Sequence, residues 1–314
     1  MRPILTSRNL LLASAAVFAL VAFGQLPGHS LLWQELQNSL HTLLFFILAL
    51  LVLYQLRHHA RLALTPLNTY LVAGSICLAT GIATEVVQWL TGRGFGYLDV
   101  LRDLAGIAMA AILYALLDRT AAGSRLVERS AIRGLLAALL VSLLLVSCYL
   151  PGTLVMDYIA RNKAFPVVMD LRANWADTYT ERVDALSAPD ACAPGMTGLK
   201  LLPSPYPGVS VAEPVPDWRS YRQLAFTLHN TGVAPFDLVI RIHDRLHDQS
   251  LTDRYNRTLT VNPGLNRYRI PLAEIRDGPA ERSLDLAQVG GIMLFAIDPP
   301  HTRQVCVSSM QLEK

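Results

Sequence analysis

Five apolar runs fill the first half of the chain, over residues 9–25, 40–56, 68–90, 98–117 and 132–150. A bilayer core about 30 Å thick is crossed by a helix of roughly 17–25 apolar residues. Within lipid, each backbone amide of such a segment must find its partner inside the segment itself. The runs therefore predict an α-helical membrane bundle of about five transmembrane helices over residues 1–150. The chain is 52% hydrophobic and only 16% charged, little charge for a protein wholly surrounded by water. The fourth run is the weakest, because Asp99, Arg102 and Asp103 crowd its start. The first follows Arg2 and Arg8, as a secretory signal would, but it is long for a signal core and no small-x-small cleavage site follows. It reads as an anchor.

Loop charges predict the orientation. Arg2 and Arg8 precede the first run, Arg57 and Arg61 follow the second, and Arg119, Arg125, Arg129 and Arg133 follow the fourth. The loop 27–39 has no Lys or Arg, and the loop near Gly92 has only Arg93. The positive-inside rule then puts the N-terminus in the cytoplasm. Five crossings would carry everything after residue 150 to the outside of the cell membrane (the inner membrane of a Gram-negative cell).

After a linker at 151–164 the pattern changes. Segments 198–202, 222–230, 236–244, 257–262, 266–272, 289–297 and 304–312 are short, several alternating apolar and polar residues, with "SPYPG" and "NPGLN" as turns between them. This predicts an all-β sandwich over 165–314. Cys192 and Cys306 fall in this half, where an oxidising exterior permits a disulfide, and they allow one pairing within it. Cys77 and Cys148 sit inside apolar runs as small packing residues. The net charge of +3 is small and scattered, so no nucleic-acid partner is expected.

Acids inside the membrane half need a reason. Glu85 and Gln88 are three apart and share a face of the third helix; Asp99, Asp103 and Gly106 share a face of the fourth. With His41 near the start of the second helix and Arg93 in the loop, these side chains converge on the outer end of the bundle. Intramembrane ionisable groups are costly unless they pair or line a wet cavity, so the set is a candidate membrane pocket. The alternative is a clamp in which Arg93 pairs with Glu85 or Asp99 and fastens a hairpin. His41 and Arg93 suit a phosphate or carboxylate, and Glu85 or Asp99 suits a general base. The chain has no His-Glu-x-x-His spacing, no Gly-x-Ser-x-Gly elbow and no phosphate loop, so neither metal nor cofactor is expected.

The stretch "LHTLLFF" with "EVVQWLTGRGFGYLDVLRDLAG" resembles the VanZ-like family of small polytopic membrane proteins, over roughly residues 30–120. His41, Glu85, Gln88, Gly92, Arg93, Asp99 and Gly106 match its pattern, whereas Asn38 and Asp103 stand where the family often has Lys and Asn. The resemblance implies an envelope role, with membrane lipid and a lipid-linked glycan or lipophilic antibiotic as partners, and a link to glycopeptide-antibiotic resistance. It supplies no reaction. The order of segments from "YPGV" through "DWRSYRQLAFTLHN" to "VGGIMLF" is similar to the galactose-binding-like jelly roll of many carbohydrate-binding modules. That implies a glycan-facing module. Sugar sites combine aromatic platforms with a few polar groups, so Tyr206, Trp218, Tyr221, His243, Asp244 and Tyr255 are the candidates. The alternative readings are an enzyme acting on lipid-linked glycans and a structural scaffold.

Overall fold

The computed structural model describes residues 7–24, 30–58, 64–91, 96–118, 130–188 and 192–314. The chain divides into two compact units, Met1–Val155 and Met156–Lys314.

The first unit is helical: α1 (Ser7–Phe23), α2 (Leu31–His58), α3 (Pro66–Leu90), α4 (Tyr97–Leu117) and the greater part of α5 (Ser130–Ala164). The four helices α2 to α5 are long and apolar enough to cross a membrane. Helix α1 has 17 residues, a length of about 26 Å at 1.5 Å per residue. Large apolar side chains point outward, among them Leu71, Trp89, Leu135 and Val146. Water would penalise such a surface, whereas lipid suits it.

Helix α2 starts at Leu31, nine residues before the apolar run, because Gln34, Glu35, Gln37 and Asn38 end the apolarity without ending the helix. Helix α3 opens with Thr65 as its cap, whose Oγ1 accepts the Asn68 amide at 3.2 Å, and Pro66 holds the first turn. Gly106 lets α4 lie directly on α2: a Cβ there would strike the Thr42 carbonyl and come within 2.9 Å of the Phe46 amide. Residues 151–164, expected as a linker, are instead the last turns of α5. "PG" reads as a break, yet Pro151 and Gly152 are carried inside this 35-residue helix.

The second unit holds two sheets. Its strands are β1 (Val167–Met169), β2 (Thr180–Val183), β3 (Ala185–Ser187), β4 (Thr197–Leu201), β5 (Gly208–Ala212), β6 (Gln223–Asn230), β7 (Phe236–Asp244), β8 (Tyr255–Val261), β9 (Gly264–Pro271), β10 (Val289–Phe295), β11 (Arg303–Val307) and β12 (Met310–Glu313). Short helices α6 (Ala176–Tyr179) and α7 (Leu272–Arg276) interrupt them. One sheet runs β1-β12-β6-β11-β4-β3 with β9 on the other edge of β6; the other runs β2-β5-β10-β7-β8. All resolved pairings between strands are antiparallel.

Alternation decides which face is inside. Leu238, Ile240 and Ile242 of β7 meet Leu224, Phe226 and Leu228 of β6 in one core, together with Val209, Val211, Ile292, Leu294, Val305 and Val307. Cys192 and Cys306 are joined by a disulfide, with Cα atoms 5.7 Å apart. Near the end of α5, the Arg161 guanidinium lies 4.0 Å from the centre of the Tyr179 ring and donates to the Glu213 carbonyl at 2.5 Å.

Candidate functional site

In the membrane unit, the end of α3, the start of α4 and the first half of α2 bring their polar residues together. His41 Nδ1 is 3.1 Å from Asp103 Oδ1. Glu85 accepts the Gly96 amide through Oε2 at 2.8 Å. Asp99 Oδ1 takes Arg102 Nη1 at 2.7 Å, and Arg102 Nη2 reaches both Glu35 oxygens, at 3.1 and 3.2 Å. Gln88 donates to the Val21 carbonyl at 3.2 Å and so pins the end of α1. Arg93 lies outside the described residues.

Glu85 and Asp103 are 0% exposed, and His41 and Gln88 are nearly so. Two buried oxygens, Glu85 Oε1 and Asp103 Oδ2, have no hydrogen-bond partner. Among the described residues, four carboxylates (Glu35, Glu85, Asp99, Asp103) face one guanidinium, Arg102, and the His41 imidazole. Lone intramembrane charges are expensive, so a group of this balance is suited to receiving positive charge. A cavity of about 460 Å³ lies alongside, lined by Thr42, Phe46, Met109, Leu113, Leu144 and Cys148, and its walls are mainly apolar. Its size suits a lipid tail.

Glu35 and Arg102 belong to this cluster and were not among the residues singled out from sequence. Glu35 stands outside the apolar run, although it is six residues before His41 on a helix. Arg102 sits three residues after Asp99, the spacing of a helical ion pair.

In the sandwich the candidate residues separate. Trp218 is fully buried in the core and its indole donates to the Val215 carbonyl at 2.7 Å. Tyr255 is also buried, with its hydroxyl donating to Glu274 at 2.6 Å; burial, and then Glu274, push the phenol up. Tyr221 packs against the core, edge to face with Phe165. Asp244 is 1% exposed and closes a clamp: Arg282 donates to it at 2.5 and 2.8 Å, and the Asp285 and Leu246 amides add bonds at 2.7 and 3.2 Å. Burial works against its charge, but Arg282 and the amides hold its carboxyl below the usual range. Arg282 also bonds Asp253, whose carboxyl is drawn down to about 2.

Tyr206 and His243 share a different place. Met293 pairs with Arg241 and Gly291 with His243 across β10 and β7, while Arg241 pairs with Asn256 across to β8. Opposed residues point to one face, so these side chains line the outer face of the five-stranded sheet. Gly291 makes room there, since a Cβ would lie 2.7 Å from His243 Nε2. His243 stacks on His247 at 5.0 Å, and burial, with His247 and Arg241 adding, pushes its imidazole down to about 4. Tyr206 is 59% exposed and meets Phe295 edge to face at 5.9 Å.

Two arginines complete the face. Arg241 donates to His247 Nε2 at 2.9 Å, and Arg254 interacts with Tyr206. Burial, together with the Arg254 charge, holds Arg241 below the usual arginine range. The Nε atoms of both are buried without a partner. Among the described residues neither forms a salt bridge with a carboxylate. Planar guanidinium donors beside an exposed ring suit a hydroxyl-rich, anionic ligand.

No family model matches the chain, and no curated protein matches it. Solved structures align with its β part. The family 11 carbohydrate-binding module of Clostridium thermocellum, in complex with a β-1,3-1,4-mixed-linked tetrasaccharide, aligns at 14% identity over 43% of this chain and 83% of that one, with a TM-score of 0.34. A mutant of a family 29 carbohydrate-binding module aligns at 12% over 46% and 89%, with a TM-score of 0.33. An exo-β-agarase aligns at 13% over 47% of this chain, with a TM-score of 0.37, and the chain spans 24% of that protein's length. It likewise spans 22% of PfGH50B.

Proposed function

We propose that the chain is an integral membrane protein that presents an anionic-glycan-binding jelly roll on the outside of the cell envelope. Its VanZ-like bundle holds a lipid-linked amphiphile at the outer leaflet. The observation that carries this reading is the pair Arg241 and Arg254, half-buried and without a carboxylate partner among the described residues, with Arg254 near enough to the exposed Tyr206 for the two to interact. A sugar bearing a carboxylate, phosphate or sulfate would satisfy the free guanidinium donors and lay its apolar face on Tyr206. In the bundle, the polar cluster suits a charged head and the adjacent 460 Å³ cavity a tail. The resemblance to VanZ-like proteins supports an envelope setting and a part in glycopeptide resistance.

The test uses full-length protein in lipid nanodiscs, with matched neutral and acidic oligosaccharides. Arg241→Ala and Arg254→Ala should each weaken acidic-glycan binding roughly ten- to a hundredfold, as loss of a charged hydrogen bond does. Arg267→Ala, on the groove of the opposite sheet lined by Thr227, Arg269 and Gln311, should leave it unchanged. Equal binding of neutral sugars, or loss only in the Arg267 variant, would refute the assignment.

A further inference from the structure

We infer that His41, Glu85 and Asp99 form a binding site for a divalent first-row metal ion, with Asp103 as the positioning residue behind the histidine. One ligand atom from each of the three lies within 4.8 Å of the others. Around an ion with bonds of about 2.0–2.2 Å, neighbouring ligands stand about 3.4 Å apart. Closing that gap takes side-chain movement on the order of an ångström.

Each ligand keeps one ring nitrogen or carboxylate oxygen that no other side chain takes. Asp103 Oδ1 holds His41 Nδ1 at 3.1 Å, which leaves Nε2 for a metal; a carboxylate behind a ligating histidine fixes its tautomer and orientation. Glu85 is fully buried, its Oε2 is engaged by the Gly96 amide, and its Oε1 has no partner. Asp99 Oδ1 is taken by Arg102, while Oδ2 stands beside Gly96. A Cβ on Gly96 would meet that Oδ2 at 2.7 Å and Glu85 Oε2 at 3.4 Å, so the two carboxylates crowd one spot that only glycine leaves open. Glu85 is buried and Asp99 half-buried beside it, and Arg102 reaches only Oδ1 of Asp99, so a cation between the two carboxylates would relieve the repulsion that remains. The histidine nitrogen tips the choice, because one imidazole with two carboxylates is a set that zinc or manganese accepts. Three protein ligands leave further positions open.

A second cluster, His247, Asp248 and Asp253, also has its atoms close together. There, however, both histidine nitrogens are engaged, Nδ1 with the Asp253 carbonyl and Nε2 with Arg241, and Asp253 is tied to Arg282. It serves as the control.

The experiment takes full-length protein in mild detergent, strips it with chelator, equilibrates it with a small molar excess of Zn²⁺ or Mn²⁺ in the presence of a larger excess of Mg²⁺, and removes unbound metal. Metal is counted by elemental mass spectrometry. Wild type and Asp248→Asn should each hold about one ion per chain, whereas the near-isosteric Glu85→Gln and Asp99→Asn should hold less than a tenth of that. Asp103→Asn should bind 10- to 100-fold more weakly, as loss of such a supporting carboxylate does. Mn²⁺ bound to wild type should show ¹⁴N coupling by pulsed electron paramagnetic resonance, a readout that needs no variant to fold. Failure of wild type to retain metal, absence of nitrogen coupling, or full retention in both carboxylate variants would overturn the site.

Discussion

At the scale of single residues, strand parity separates outward-facing candidates from core. In "FDLVIRIHD" Leu238, Ile240 and Ile242 are buried, so Arg241 and His243 must face outward. The same alternation puts Tyr255 with Leu259 and Val261 on the core side of β8. Residue type alone cannot make this distinction, because an aromatic ring near a strand end serves either as a platform or as a plug. Trp218 is the plug. Burial also makes His243 a titrating liability. Its folded value of about 4 lies below the ordinary 6.5, so the unfolded chain binds the proton first as pH falls. Stability should therefore be intact above pH 6.5 and decline as pH falls toward 4, by at most about 3 kcal/mol. Urea unfolding of wild type and His243→Gln across that range checks it, since the variant should lose this part of the slope. Nearby, Arg282→Ala leaves the buried Asp244 carboxylate without its bidentate partner and should destabilise the sandwich by roughly 3 kcal/mol. Arg282→Ala measured in an Asp244→Asn background should cost clearly less, because no charge is stranded there.

At the scale of elements, long periodic segments were legible and short ones were not. The apolar runs correspond to α1 through α5, and the seven strand segments recur as β4 and β6 to β12, the last segment splitting into β11 and β12. The short strands β1, β2, β3 and β5 escaped, having only three to five residues each. Such lengths carry too little alternation to detect, and they are stabilised by neighbours far along the chain: β1 is built on β12, and β2 on β5. The membrane cluster was legible as helical spacing, whereas its pairing of His41 with Asp103 depends on how closely Gly106 lets α4 approach α2. Gly106→Leu should force these helices apart and lower the thermal stability of the bundle, as overpacking by even small groups costs about 1–3 kcal/mol. The disulfide stabilises the β unit by another route, by constraining its unfolded chain. Cys192 and Cys306 close a loop spanning 114 positions, so Cys192→Ser with Cys306→Ser should reduce stability by about 2–5 kcal/mol against denaturant.

At the scale of the whole molecule, counting candidate crossings turns the sidedness of each end into a prediction. Among the described residues, helices α2 to α5 are the four long enough to span, and an even number of crossings would return the chain to the side from which it started. If they alone cross, the segment before α2 and the β unit would share a side, and residues 27–39, which reach into the first turns of α2, are free of Lys and Arg. By the positive-inside rule the basic segments after α2 and α4 would then face the cytoplasm, and the β unit would be expected outside whatever α1 does. Helix α1 would decide only the N-terminus: were its length of about 26 Å to cross a core of about 30 Å, the N-terminus would lie inside. Two reporters separate these statements. Val233 stands 97% exposed between β6 and β7, so Val233→Cys in a Cys148→Ser background should react with a membrane-impermeant maleimide in intact cells. A cysteine appended to the N-terminus should react only after permeabilisation. Labelling of both in intact cells would leave four crossings and remove α1 from the bundle's spans. Protection of Val233→Cys in intact cells, with labelling after permeabilisation, would put the arginine face in the cytoplasm and exclude a glycan of the cell surface as its ligand.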